Sequence, residues 1–125
     1  MKNKIITFIM LILTASLSMF TIGCSSTSEP YNIIVTNNCG EGLENIGYYE
    51  NNNSGSILNA DNSLIKDGED IEMYIDTNPF ILSVTDENGK EFKSQEFDLN
   101  FENDKVFNIS VEFSSSGEME FILEK

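Results

Sequence analysis

One hundred and twenty-five residues carry 21 Asp and Glu against seven Lys, with no Arg, no His and no Trp, for a formal net charge of −14. That balance argues against nucleic acid as a partner, because phosphate recognition rests on clustered Lys and Arg. Without His the usual general base near neutral pH is missing, and without Arg no bidentate carboxylate or phosphate clamp can form, so neither an enzyme nor a cofactor is expected.

The N-terminus has three parts. Met1-Lys2-Asn3-Lys4 is basic, Ile5 to Phe20 is uncharged and interrupted only by Thr7, Thr14, Ser16 and Ser18, and Thr21-Ile22-Gly23-Cys24 places a small residue before a cysteine. Basic start, apolar centre and small-residue exit describe a helical signal peptide. Ile5 to Gly23 is also just long enough to persist as an uncleaved membrane helix, and a cut elsewhere would release the chain. Neither alternative accounts for a cysteine at this position.

Thr21-Ile22-Gly23-Cys24 resembles the lipobox of bacterial lipoproteins, and Ser25-Ser26-Thr27-Ser28 is similar to their polar tether. The resemblance implies acylation of Cys24, palmitate included, and cleavage between Gly23 and Cys24. It implies a membrane partner held through the lipid, with the protein on the extracytoplasmic face of a bacterial cell membrane. Each buried methylene of such an anchor contributes about 0.8 kcal/mol. The expected organisation is a signal peptide over 1–23, the lipidated cysteine and tether over 24–30, and one monomeric domain over 31–125. Loss of Lys2 and Lys4 with the signal would take the net charge from −14 to about −16. Ser25 to Pro30, fully extended, spans about 20 Å, which keeps the folded part near the membrane.

From Tyr31 onward the dominant period is two, the signature of strands with one buried face. Tyr31, Ile33 and Val35 alternate with polar residues, as do Ile71, Met73 and Ile75, and Phe80, Leu82 and Val84. The same alternation runs through Phe97, Leu99 and Phe101, through Phe107 to Phe113, and through Met119 to Leu123. Glu50 to Glu69 is the least regular stretch, with Ile57, Leu58, Leu64 and Ile65 marking a short edge strand. Thr77-Asn78-Pro79, Asp86-Glu87-Asn88-Gly89 and Ser114-Ser115-Ser116-Gly117 read as turns, Asn-Gly being a strong hairpin signal. The expected fold is all-β, a small antiparallel β-sandwich of about seven strands. Ser63 to Asp70, with Leu64 and Gly68-Glu69 ahead of an alternating segment, resembles the lead-in to a strand of small bacterial Ig-like domains. That likeness implies an Ig-like sandwich and no site.

Chemistry-bearing residues are few. Committing Cys24 to a lipid leaves Cys39 alone among turn-forming residues, without the His or neighbouring cation that lowers a catalytic thiol's pKa. It reads as a structural thiol. One thiol and no imidazole cannot build the usual zinc site. Calcium is the one metal weighed, with Asp98, Asn100, Glu102 and Asp104 as its candidates, although the full calcium-loop pattern is absent and no dedicated metal site is expected. The function expected is a small binding module, its partner an extracytoplasmic protein or a cation, using an edge strand, the 51–69 loop or the acidic face. The alternative is a passive envelope component or an accessory of a membrane complex.

Overall fold

The computed structural model describes residues 30–125. The signal peptide expected over 1–23, the cleavage site at Gly23 and the lipidation site at Cys24 lie outside the described residues. Eight strands follow in order: β1 (Ile33–Asn37), β2 (Leu43–Glu50), β3 (Asn53–Ile57), β4 (Asp70–Met73), β5 (Phe80–Asp86), β6 (Glu91–Phe97), β7 (Phe107–Phe113) and β8 (Met119–Leu123). They form two four-stranded sheets, ordered β4-β1-β7-β8 and β3-β2-β5-β6. The described residues contain no α-helix, only a 3-10 turn at Glu102–Asp104. No helix among them is long and apolar enough to cross a membrane.

The fold is a β-sandwich because the alternating faces of both sheets close on one another. Ile33, Val35, Ile71, Met73, Ile109 and Val111 supply one side of the core, and Leu43, Ile46, Phe80, Leu82, Val84 and Phe97 the other. Stacked rings fill one end, with Phe80 lying 5.6 Å from Phe97 and 6.1 Å from Phe101. At the β6/β8 side, Gln95 Nε2 donates to the Phe121 carbonyl at 3.2 Å and ties the two sheets together.

Two asparagines extend the pairing past the strand ends by imitating a peptide group. Asn32 accepts from the Ile75 N–H (2.9 Å) and donates to its carbonyl (2.6 Å). Asn78 does the same for Leu99, accepting from its N–H at 3.2 Å and donating to its carbonyl. Ile75 and Leu99 therefore stay buried outside any strand, with their backbone groups satisfied. Asn37, wholly buried, donates to the Glu41 and Ile65 carbonyls at 2.8 and 3.0 Å. Ile65 also exchanges both backbone bonds with Leu43, so this one loop residue stitches β1 to β2 across the sandwich. Gly68 takes a φ of +80°, which favours glycine, and Glu69 accepts from the Lys66 N–H at 2.8 Å. The segment read as a strand lead-in is thus a turn hung on Ile65.

Three expectations are corrected. There are eight strands, not about seven, because β2 and β6 are full strands that simple alternation does not reveal. The pairing is not wholly antiparallel: β1 and β7 run parallel, Ile33 opposite Phe107 through Asn37 opposite Val111. Parallel neighbours need a crossover, and here everything from β2 to β6 serves as one. Finally, the segment from Phe97 to Glu102 is not a strand. Phe97 ends β6, and the loop beyond it is held by Asn78. The turns at 77–79, 86–89 and 114–117 fall where the sequence puts them, with Gly89 and Gly117 at φ +78° and +80°.

Register gives a direct test. Ile109 is wholly buried and its neighbour Asn108 is exposed. Chemical denaturation should show Ile109→Asp losing more than about 3 kcal/mol, the cost of an unpaired buried charge. Asn108→Asp should stay within about 0.5 kcal/mol. Equal losses at the two positions would contradict the register.

Candidate functional site

The two sheets close on each other along β6 and β8 but leave the opposite side open, between the edge strands β3 and β4. A cleft of about 450 Å³ lies there, walled by Tyr31, Tyr48, Tyr74, Gly55, Met73 and Glu72. Tyr48 points inward from β2, opposite Gly55 of β3. A Cβ placed on Gly55 would meet the Tyr48 ring at 2.7 Å, so the missing side chain is what lets the ring lie across β3 toward the cleft. Tyr31 precedes β1 and Tyr74 follows β4, and the Asn32–Ile75 pairing fixes both backbones. Tyr74 is 56% exposed and Tyr31 37%. None of these three hydroxyls has a hydrogen-bond partner among the described residues. Tyr31 and Tyr74 each present an apolar ring and a phenol to solvent, a combination suited to ligand contact, while Tyr48 is partly buried against the core.

The sequence reading missed this cleft. Alternation puts Tyr31 on the inner face of a strand and gives no reason to bring it together with Tyr48 and Tyr74. One signal was available: all four tyrosines fall between residues 31 and 74, while every phenylalanine after residue 20 lies at or beyond 80. Phenylalanine fills the core at one end of the chain, and tyrosine, with a polar tip, marks the wet end.

Other chemical groups are structurally engaged. Glu50 is 7% exposed at the end of β2, where its carboxylate accepts from the Thr77 hydroxyl and, at 3.4 Å, from Asn53 Nδ2. Asp86 accepts from the N–H groups of Asn88 and Lys90, both at 2.9 Å, and shapes the β5–β6 turn. A hydrogen bond from the Ser63 hydroxyl, with help from the Ser63 backbone, holds the exposed Asp61 carboxyl below its ordinary value. The calcium candidates lie on the exposed loop after β6. Asn100 Oδ1 accepts from the Glu102 N–H at 2.9 Å, and Asn100 Nδ2 donates to the Glu102 carboxylate at 3.3 Å. Asp98 and Asp104 flank this turn, Asp104 at φ +53°. Among the described residues no group of three or more acidic or thiol side chains is placed to hold a metal.

Cys39 is half-buried beside the β7–β8 hairpin, its Sγ 3.4 Å from the Val111 carbonyl and 3.5 Å from Met119 Sδ. Burial first, then the charges of Glu41, Asp67 and Glu112, push its pKa from the ordinary 9.0 to about 11. The thiolate is disfavoured, the reverse of an activated nucleophile. Between pH 9 and 11 the unfolded chain ionises at this thiol while the folded chain does not. Stability contributed by the protonated thiol should therefore fall across that window as pH rises. Denaturation midpoints measured from pH 8 to 11 should fall more for the wild type than for Cys39→Ser. Rapid alkylation of Cys39 at pH 8 would contradict the raised pKa.

No protein-family model matches the chain, and no curated protein does. The NMR structure of a protein from Eubacterium rectale is similar to it, with a TM-score of 0.57 and 12% identity over 81% of this chain and 95% of that one. At that identity the likeness supports the shared β-sandwich fold.

Proposed function

We propose that this chain is a bacterial lipoprotein, anchored through Cys24 on the extracytoplasmic face of the cell membrane, and that it serves as a small binding module without catalytic activity. The observation that carries the binding reading is the open cleft between β3 and β4, with three tyrosine hydroxyls that no described residue engages. Exposed Leu58 and Leu64, 48% and 36% accessible, add apolar surface in the loop after β3. We read the sandwich as a variant of the Ig-like fold. On this reading β1, β2, β4, β5 and β6 stand for strands B, C, E, F and G, and β3 for C′. β7 takes the place of strand A beside B, but runs parallel to it.

Two experiments test separate parts of this reading. Labelled palmitate should enter the wild-type protein in cells and not Cys24→Ala, and equal labelling of both would remove the anchor. A photo-crosslinking amino acid at Tyr74 should give discrete adducts in intact cells, while the same probe at Asn108, on the outer face of β7 and away from the cleft, should not. If neither Tyr31, Tyr48 nor Tyr74 yields adducts beyond those of Asn108, the cleft has no ligand and the passive envelope role takes its place.

A further inference from the structure

A second feature lies on the outer face of β3-β2-β5-β6, centred on Gly47, and meets the tyrosine cleft at Gly55 and Ser56. Register places Ser56, Gly47, Ser83 and Lys93 in one row across the four strands. The adjoining rows carry Asn45, Thr85 and Glu91 on one side, and Ser54, Tyr49 and Ile81 on the other. Gly47 sits at the centre with no side chain, and a trough of about 350 Å³ opens over it. A Cβ at Gly47 would stand 2.7 Å from Ser83 Oγ and 3.0 Å from the Gly55 carbonyl, so the hollow depends on glycine here.

The floor of the trough is polar and open to solvent. Ser83 is only 4% exposed, and since no buried side-chain polar atom among the described residues lacks a partner, its hydroxyl opens onto the trough. The hydroxyls of Ser54 and Ser56 likewise make no bond to a described residue. Asn45 uses Oδ1 to accept from Thr85 Oγ1 at 3.3 Å, which leaves both amide hydrogens without a described acceptor. One wall is held stiffly: Tyr49 donates from its hydroxyl to Glu91 at 2.6 Å, and Lys93 Nζ sits 4.0 Å from the Tyr49 ring centre. Lys93 is in turn 3.8 Å from Glu91. The one cation near the trough is thereby paired, and an anionic ligand would face Glu91.

We propose that this trough is a binding site for a neutral oligosaccharide. Adjacent strands stand about 4.8 Å apart, and same-face residues about 6.6 Å apart along a strand. Ser56, Ser83 and Asn45 thus bracket an area close to the footprint of one hexopyranose ring with its hydroxyls. A sugar offers donors and acceptors on every edge and replaces the water that otherwise solvates these side chains. A peptide would need a hydrophobic anchor that the trough does not supply, and an apolar ligand would strand the Ser83 hydroxyl.

The test uses the full chain, 15N-labelled and extracted in a sugar-free detergent, titrated with chitotetraose, cellotetraose and maltotetraose at millimolar concentration. At least one should give saturable amide shifts centred on Asn45, Gly47 and Ser83, which line the trough and not the cleft. Ser83→Ala and Asn45→Ala should each weaken that binding about three- to tenfold, the worth of one lost hydrogen bond. Asn108→Ala, on the other sheet, should leave it unchanged, and a tetragalacturonate probe should bind more weakly than the neutral sugar. Asn45 is partly exposed, so its variant serves if Ser83→Ala does not fold. Absence of saturable shifts with all three neutral probes would overturn the proposal. Shifts centred on Tyr48 and Tyr74 would also overturn it, as would tighter binding of the anionic sugar.

Discussion

The arrangement of this sandwich turns on one extra residue in β2. Leu43 pairs with Asp86 and Asn45 with Thr85, so Glu44 bulges out of the ladder. Because side chains in a strand alternate strictly, one inserted residue exchanges the faces of everything beyond it. Leu43 is inward, and after the bulge Ile46, Tyr48 and Glu50 are inward as well, while Gly47 and Tyr49 face out. If these same residues alternated strictly from Leu43 with no bulge at Glu44, Ile46 would face solvent and Gly47 would leave a hole in the core. The bulge directs Tyr48 toward the open edge and sets Gly47 beneath the outer trough, so both features of this sheet depend on it.

A second irregularity has the same effect in β6. Ile81 pairs with Glu96 and Ser83 with Lys93, so Leu82 faces two residues, Ser94 and Gln95. Ser94 compensates by accepting the Leu82 N–H through its hydroxyl at 2.9 Å. Phe92 and Phe97 both face inward, five positions apart, which strict alternation forbids without an extra residue. Bulges of this kind also strengthen local twist and curve the sheet that carries them.

Charge divides the two outer faces. β4, β7 and β8 present Asp70, Glu72, Glu112 and Glu120, with Glu112 directly opposite Glu120. Like charges so placed are mildly destabilising, and no lysine of these strands relieves them. On the other sheet Lys90 lies over Phe92 and Lys93 over Tyr49, at 4.4 and 4.0 Å from the ring centres. One face is an acidic surface suited to solubility. The other carries the mixed hydroxyl, amide and aromatic groups suited to recognition.

By itself the sequence determined the elements whose alternation is unbroken. β1, β4, β5, β7 and β8 are legible because each keeps its apolar residues two apart, and the turns between them are legible because Asn-Gly, Pro and Ser-Gly have local conformational preferences. The absence of His and Arg was equally plain, as was the division of aromatic residues between tyrosine early and phenylalanine late. Tertiary structure alone decided the rest. Leu-Glu-Asn-Ile-Gly-Tyr-Tyr-Glu shows no period until the bulge at Glu44 is known. Phe97-Asp-Leu-Asn-Phe mimics a strand because Asn78 holds Leu99 inward without one. The parallel union of β1 with β7 joins residues some seventy positions apart, which no local pattern records. The meeting of Tyr31, Tyr48 and Tyr74 is likewise a product of strand order. Periodicity tells which side of a strand is buried, but only the packing of two sheets fixes which edges stay open and which side chains meet there.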